Sequence, residues 1–130
     1  WMDSVFVASD AAKENWEFVI GHHPIYSSNP KHGNTHELMN TLRPRLERHK
    51  VDAYICGHDH DLQHQKPDSS TVDYFLSGAG SQVRPTGAVK HTRFAQSIPG
   101  FAIISIKGET MTLFYINTKG RIIYSYTRNK

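Results

Sequence analysis

A chain of 130 residues provides one ordinary domain with a hydrophobic core and is too short for two domains of usual size. Its apolar fraction of 38% and aromatic fraction of 11% are those of a globular protein and exclude a disordered chain. The net charge of +3 comes from basic residues that are scattered apart from one group between residues 43 and 50, so we expect no nucleic-acid partner. No apolar run approaches the roughly 18 residues of a membrane span, so we expect no membrane partner either.

The first predicted element is a helix over residues 1–12, whose apolar positions continue a pattern that has no visible start. A natural protein rarely begins within such a pattern, so we expect this chain to be a fragment of a longer protein. Residues 16–20 form an apolar run broken only by Glu17, which predicts a buried strand. Gly-His-His-Pro follows at residues 21–24, so this strand delivers imidazole side chains at its carboxyl end.

A loop over residues 27–33 leads to a predicted helix over residues 35–49, in which leucine recurs at every fourth position. Asn34 and Glu37 have the spacing of a capping box at the start of this helix. Pro44 lies inside the pattern and should kink the helix or weaken one of its turns.

The remaining segments predict an α/β fold. The predicted strands cover residues 52–56, 62–66, 72–77, 101–107, 111–117 and 122–126. The predicted helix 35–49 lies between the strands 16–20 and 52–56. We therefore expect these two strands to be parallel neighbours within a mixed sheet. The last three strands alternate and are joined by glycine-containing turns, which predicts an antiparallel meander. Residues 82–98 are polar and irregular, and they are interpreted as a surface loop.

Eight of the nine histidines lie between residues 22 and 64. In parallel sheets, ligands bind beyond the carboxyl ends of the strands, which is where His22, His58 and His60 fall. In extended backbone the side chains of His58 and His60 leave the same side of the chain and should converge on one target. Neutral imidazole is the commonest metal ligand, so a metal site is predicted. The alternative is that these histidines merely follow strands.

Two acidic residues and one thiol flank the histidines. Asp59 and Asp61 are expected to orient imidazoles or to face solvent rather than to bind metal. Cys56 lies within a predicted strand, which indicates a buried and inert thiol, and as the single cysteine it excludes an internal disulfide.

Several short motifs together resemble the purple acid phosphatases of the low-molecular-weight, tartrate-resistant type. They are Gly-His-His-Pro at 21–24, His-Gly-Asn-Thr at 32–35, Leu-Arg-Pro at 42–44, Gly-His-Asp-His-Asp-Leu at 57–62, Leu-Ser-Gly-Ala-Gly at 76–80 and Gly-Phe-Ala at 100–102. The Gly-His-Asp-His block alone indicates only the wider calcineurin-like metallophosphoesterase superfamily. The combination is more specific, and it extends over nearly the whole chain.

This resemblance implies a four-layer αββα sandwich, of which residues 1–130 would form the C-terminal half of a single domain. It implies an acid phosphatase that hydrolyses phosphate monoesters with a metal-activated water or hydroxide, in a secreted or periplasmic location. Its binuclear centre would hold Fe(III) together with Fe(II), Zn(II) or Mn(II). The resemblance places His22 and His58 on the divalent metal and His60 on the ferric ion. His32 matches a histidine that binds phosphate or protonates the leaving group.

The family pattern also contains an aspartate near the first strand, a Gly-Asp-x-x-Tyr block and a Gly-Asn-His block, and none of them occurs in this sequence. The bridging carboxylate, the tyrosinate and the asparagine ligand would therefore lie in a missing N-terminal half. Three imidazoles would hold at most one divalent ion, so we expect the isolated chain to be inactive. Half of a two-sheet sandwich would also expose an apolar face, from which we expect self-association.

Two other functions are compatible with the same residues. A different calcineurin-like enzyme, such as a phosphodiesterase or a nucleotidase, would share the histidine motifs. A non-catalytic module would use the histidine face to bind a single metal ion or a partner.

Overall fold

The computed structural model describes all 130 residues and places three helices and two sheets in layers. The helices are α1 (Met2–Ala12), α2 (His36–Thr41) and α3 (Arg43–Arg48). The strands are β1 (Phe18–Ile20), β2 (Ala53–Cys56), β3 (Leu62–Gln65), β4 (Asp73–Ser77), β5 (Thr92–Gln96), β6 (Gly100–Lys107), β7 (Thr110–Asn117) and β8 (Ile122–Asn129). None of the helices has the length and apolar character that crossing a membrane requires.

The larger sheet is mixed and has the strand order β1-β2-β4-β3-β5. β2 is parallel to both β1 and β4, whereas β3 is antiparallel to β4 and β5. The smaller sheet is the antiparallel meander β6-β7-β8. The predicted α/β fold, with a mixed sheet followed by a meander, is therefore confirmed, as is the parallel pairing of the first two strands.

Alternate residues of the mixed sheet supply two hydrophobic cores, because successive side chains in a strand point to opposite faces. Tyr54 and Cys56 of β2 pack on the helical side with Leu46 of α3. Ala53 and Phe75 face the other way and pack against the inner side of β7. Fully burying a large apolar side chain contributes about 1.5–3 kcal/mol, so the two cores hold the three layers together. Cys56 is buried, as predicted, and burial raises the pKa of its thiol, which favours the protonated form.

A continuous helix over residues 35–49 is absent, because the chain forms α2 and α3 with a break at Leu42, two residues before Pro44. The predicted weakening of a turn by this proline is confirmed. Pro44 lies in the first turn of α3, where its missing N–H group costs no hydrogen bond. The predicted capping box is also absent. Thr35 is the N-cap residue of α2, and the side-chain oxygen of Asn34 instead accepts a hydrogen bond from the Ser27 N–H at 3.0 Å.

Both edges of the mixed sheet differ from the prediction. β1 is not buried, because it pairs only with β2 at the edge of the sheet, and Ile20 is 78% exposed. The opposite edge is β5, which lies within the predicted loop 82–98 and pairs antiparallel with β3. The polar composition of β5 obscured its strand pattern, in which Phe94 is the main residue that packs against the core.

A buried polar network links the two sheets through His64 and Asp73, both fully inaccessible to solvent. The His64 ring places Nε2 at 2.9 Å from the Asp73 carboxylate and Nδ1 at 2.8 Å from the Tyr124 hydroxyl. Lys66 and Arg128 also contact this carboxylate, at 3.1 and 3.0 Å. Burial lowers the pKa of His64, so the ring is neutral, donating to Asp73 and accepting from Tyr124.

Candidate active site

The parallel pairing of β1 and β2 continues beyond the two strands and carries their histidines to the same edge of the sheet. Gly21 N–H donates to the Ile55 carbonyl at 3.0 Å, and Gly57 N–H donates to the His22 carbonyl at 3.1 Å. As a result, Nδ1 of His58 lies 3.3 Å from Nε2 of His22. The fold therefore brings together His22 and His58, two of the three predicted metal ligands.

The backbone at His58 adopts a positive φ of 64°, a region that residues with a side chain seldom occupy. A hydrogen bond of 2.8 Å from Asp59 N–H to the Gly57 carbonyl closes a three-residue turn around it. The chain is therefore not extended at this point, so the predicted common direction of His58 and His60 lacks its basis. His60 is not among the imidazoles that cluster around His58.

A third imidazole, that of His23, completes a group that we call the histidine cluster (His22, His23 and His58). One ring nitrogen from each of the three lies within 4.8 Å of the other two. Burial and the neighbouring His23 lower the pKa of His58, which favours the neutral form that can ligate a metal. His23 had no predicted role, although its position directly after His22 was a usable signal.

Gly21 is required for the position of this cluster. A Cβ atom at residue 21 would lie only 2.1 Å from the Tyr54 hydroxyl oxygen. That hydroxyl donates to the His23 carbonyl at 2.8 Å and so holds the segment that carries both histidines. Any larger residue at position 21 would displace the tyrosine and release this segment.

His32 lies beside the cluster and is oriented by Asp59. Its Nδ1 atom is 2.6 Å from one carboxylate oxygen of Asp59, and its ring centre is 5.2 Å from that of His58. The second oxygen of Asp59 accepts a hydrogen bond of 2.5 Å from the Ser27 hydroxyl. Asp59 is buried and orients an imidazole, one of the two roles expected for it. Because Nδ1 is engaged, Nε2 is the ring atom of His32 that remains for substrate chemistry.

The loop after β4 packs against the backbone of Asp59. A Cβ atom at Gly78 would lie 1.9 Å from the Asp59 carbonyl oxygen, so only glycine permits the close contact. Gly78 N–H also donates to the Asp61 carbonyl at 3.1 Å. The Leu-Ser-Gly-Ala-Gly motif thus fixes the backbone on which Asp59 and its neighbours lie.

His60 and Asp61 carry buried polar atoms that have no hydrogen-bond partner in the chain, namely Nδ1 of His60 and one carboxylate oxygen of Asp61. Buried polar atoms in folded proteins are nearly always paired. Their lack of a partner fits a group supplied from outside this chain, such as a metal ion or another protein segment. The backbone carbonyl of His60 accepts a hydrogen bond from Arg84 N–H at 2.9 Å, which ties the 82–98 segment to the site.

Comparison with known families shows which class of protein the chain is similar to. The sequence model of the calcineurin-like phosphoesterases matches residues 1–62. The class implies metal ions, for which the imidazoles described above are suitable donors.

Within the class, the sequence is similar to purple acid phosphatases. Tartrate-resistant acid phosphatase type 5 of Homo sapiens is 39% identical over 124 residues, which cover 88% of this chain and 38% of the relative. Purple acid phosphatase 4 of Arabidopsis thaliana is 34% identical over 120 residues, which cover 88% of this chain and 35% of that protein. The chain thus spans little more than a third of the length of these relatives. The predicted resemblance is confirmed.

Solved structures agree on the fold. The purple acid phosphatase PPD1 of yellow lupin superposes with a TM-score of 0.84 at 18% identity, covering 98% of this chain and 27% of the lupin chain. GAP50, the anchor in the inner membrane complex of Plasmodium, gives a TM-score of 0.85 at 24% identity, covering 98% of this chain and 41% of the other. At these identities the likeness establishes the metallophosphoesterase fold, as predicted.

Proposed function

We propose that this chain is the C-terminal half of a binuclear acid phosphatase that hydrolyses phosphate monoesters. The observation that carries the proposal is the position of the His32–Asp59 pair beside His22 and His58, in a chain 39% identical to an acid phosphatase. In this proposal His22 and His58 bind the divalent metal, and His60 binds the ferric ion. The unpaired Nδ1 of His60 supports a role for that residue in binding a group from outside the chain.

When bound, two metal ions would lower the pKa of a water molecule and neutralise the phosphoryl charge. The protein groups supply the proton for the leaving group. Asp59 holds His32 through Nδ1, which leaves Nε2 as the ring atom that can donate a proton to the departing alkoxide. Ser27 donates to the Asp59 carboxylate, and Gly78 packs against the Asp59 backbone, so both limit the directions available to the imidazole.

The proposal that residues 1–130 are half of one domain is supported by two apolar surfaces. β1 is an edge strand whose Ile20 is exposed, and exposed apolar edges are normally covered in folded proteins. The outer face of the meander exposes Phe101 and Ile103, where the fourth layer of an αββα sandwich would pack. Self-association of the isolated chain through these surfaces stays a prediction.

A secreted or periplasmic location is proposed on the family resemblance alone.

The proposal is tested with a chimera in which the upstream segment of the human relative precedes residues 1–130 of this chain. We expect the chimera to hydrolyse p-nitrophenyl phosphate in a metal-dependent reaction. The 130-residue chain with the same metals should release no more product than buffer, because it lacks the carboxylate, tyrosinate and amide ligands. The upstream segment alone is the control.

Two outcomes would contradict the proposal. Robust metal-dependent turnover by the chain alone would show that its site is complete. A folded, metal-loaded chimera without any turnover would favour a non-catalytic module instead. A preference of the chimera for bis(p-nitrophenyl) phosphate over the monoester would favour a phosphodiesterase.

A further inference from the structure

We propose that His23 is a metal ligand, and that the histidine cluster holds one divalent cation of the Zn²⁺ type within this chain. The inference extends the proposed function, since His22 and His58 serve both. Their ring nitrogens are 3.3 Å apart. Two ligands on a tetrahedral zinc ion, with bonds of about 2.0–2.1 Å, are separated by about 3.3–3.4 Å. The pair therefore already has the spacing of two ligands on one ion.

His23 is positioned to be the third donor. Its ring centre lies 4.2 Å from that of His58 and 4.9 Å from that of His22. Its backbone is held by the hydrogen bond from Tyr54, and the following Pro24 restricts it to extended conformations. A donor on a constrained backbone loses little conformational freedom on binding, which favours affinity.

The second group of potential ligands, His32, His58 and Asp59, is a weaker candidate. His32 and Asp59 are 2.6 Å apart and are engaged with each other, and Asp59 also accepts from Ser27. A metal ion there would have to replace both hydrogen bonds. Neither His22 nor His23 has such a competing carboxylate partner.

The chemistry of the donors indicates which ion is bound. Three neutral nitrogens favour zinc and the later transition metals over Mg²⁺ and Ca²⁺, which prefer oxygen ligands. His22 and His23 are exposed, so a fourth position would be open to water, as in catalytic rather than structural zinc sites. In the complete enzyme His23 would then lie within reach of the divalent metal, in addition to any ligand from the upstream segment.

The test is titration of the 130-residue chain with Zn²⁺, followed by calorimetry and by the ¹⁵N chemical shifts of the imidazoles. We expect one equivalent to bind and to shift His22, His23 and His58. Removing a group that hydrogen-bonds to a metal ligand typically lowers metal affinity about 10- to 100-fold. Removing a ligand itself should cost no less, so His23→Ala should weaken Zn²⁺ binding at least about 10-fold. His22→Ala should do the same. The matched control is His36→Ala, which removes an exposed histidine outside the cluster.

The inference is overturned if His23→Ala binds Zn²⁺ as the unmodified chain does, or if Zn²⁺ shifts other histidines but leaves His23 unchanged. Truncation of a side chain can disturb the fold. The variant His23→Gln is therefore titrated as well, and the circular dichroism spectrum of each variant shows whether it is folded. His23→Ala in the chimera, with zinc retention measured during dialysis, provides a second measurement. Turnover is not part of these measurements, so zinc binding through His23 with an inactive chimera would refute only the proposed function.

Discussion

Replacing His32 with alanine in the chimera should lower kcat for an alkyl phosphate by about 10²- to 10⁴-fold, the range that general acid catalysis contributes. An alkoxide is a poor leaving group and requires a proton as the P–O bond breaks. Asp59 orients His32 so that its Nε2 can deliver that proton. The measurement is steady-state kinetics on glycerol phosphate.

p-Nitrophenyl phosphate provides the internal comparison for this prediction. Its leaving group is stable without a proton, so the same variant should lose much less activity on this substrate. His36→Ala, which removes an exposed histidine of α2, should leave both rates unchanged. Equal losses on the two substrates would contradict the role of His32 as proton donor and would indicate phosphate binding instead.

Asp73→Asn should destabilise the chain by about 3–5 kcal/mol, as is typical when one partner of a buried ion pair is removed. The carboxylate is fully buried and accepts from His64, Lys66 and Arg128. Burial alone would raise the pKa of Asp73, but the hydrogen bond from His64 and the charge of Lys66 lower it. An asparagine would leave Lys66 and Arg128 without a counter-charge. Urea unfolding followed by circular dichroism measures the change.

The matched control is Asp68→Asn, which removes an exposed carboxylate that contacts Arg93 at 3.5 Å. Surface substitutions of this kind change stability by no more than about 0.5 kcal/mol. A similar small effect for Asp73→Asn would mean that the network between the sheets contributes little to stability. The chain would then depend on its two hydrophobic cores alone.

All strands except β5, and the position of His22 and His58 at the strand ends, were predictable because local patterns determine them. β2 is a continuous apolar run, and the strands of the meander alternate between apolar and polar residues. The order of β1, helix and β2 along the chain favours parallel pairing of the two strands. This pairing brings His22 and His58 together, as the hydrogen bonds of Gly21 and Gly57 show. Here sequence order and sheet geometry leave few alternatives.

The errors occurred where contacts outside the predicted element, or an unusual backbone conformation, outweighed the local pattern. Asn34 could cap a helix, but its side chain binds Ser27 instead. β5 reads as a loop, yet pairing with β3 makes it a strand. His58 has a positive φ within the turn that Asp59 closes, whereas the prediction assumed extended backbone there. The common direction expected for the side chains of His58 and His60 therefore does not follow. No local pattern assigns a role to His23, which the fold brings beside His58.

The most direct test of the central claim is the number of metal ions bound by the chain and by the chimera. We expect the chain, with only imidazole ligands, to retain at most one equivalent after gel filtration, measured by inductively coupled plasma mass spectrometry. The chimera should retain two, and His60→Ala should reduce that number to one. Two equivalents in the chain alone, or a folded chimera that holds only one, would contradict the claim that this chain is half of a binuclear phosphatase.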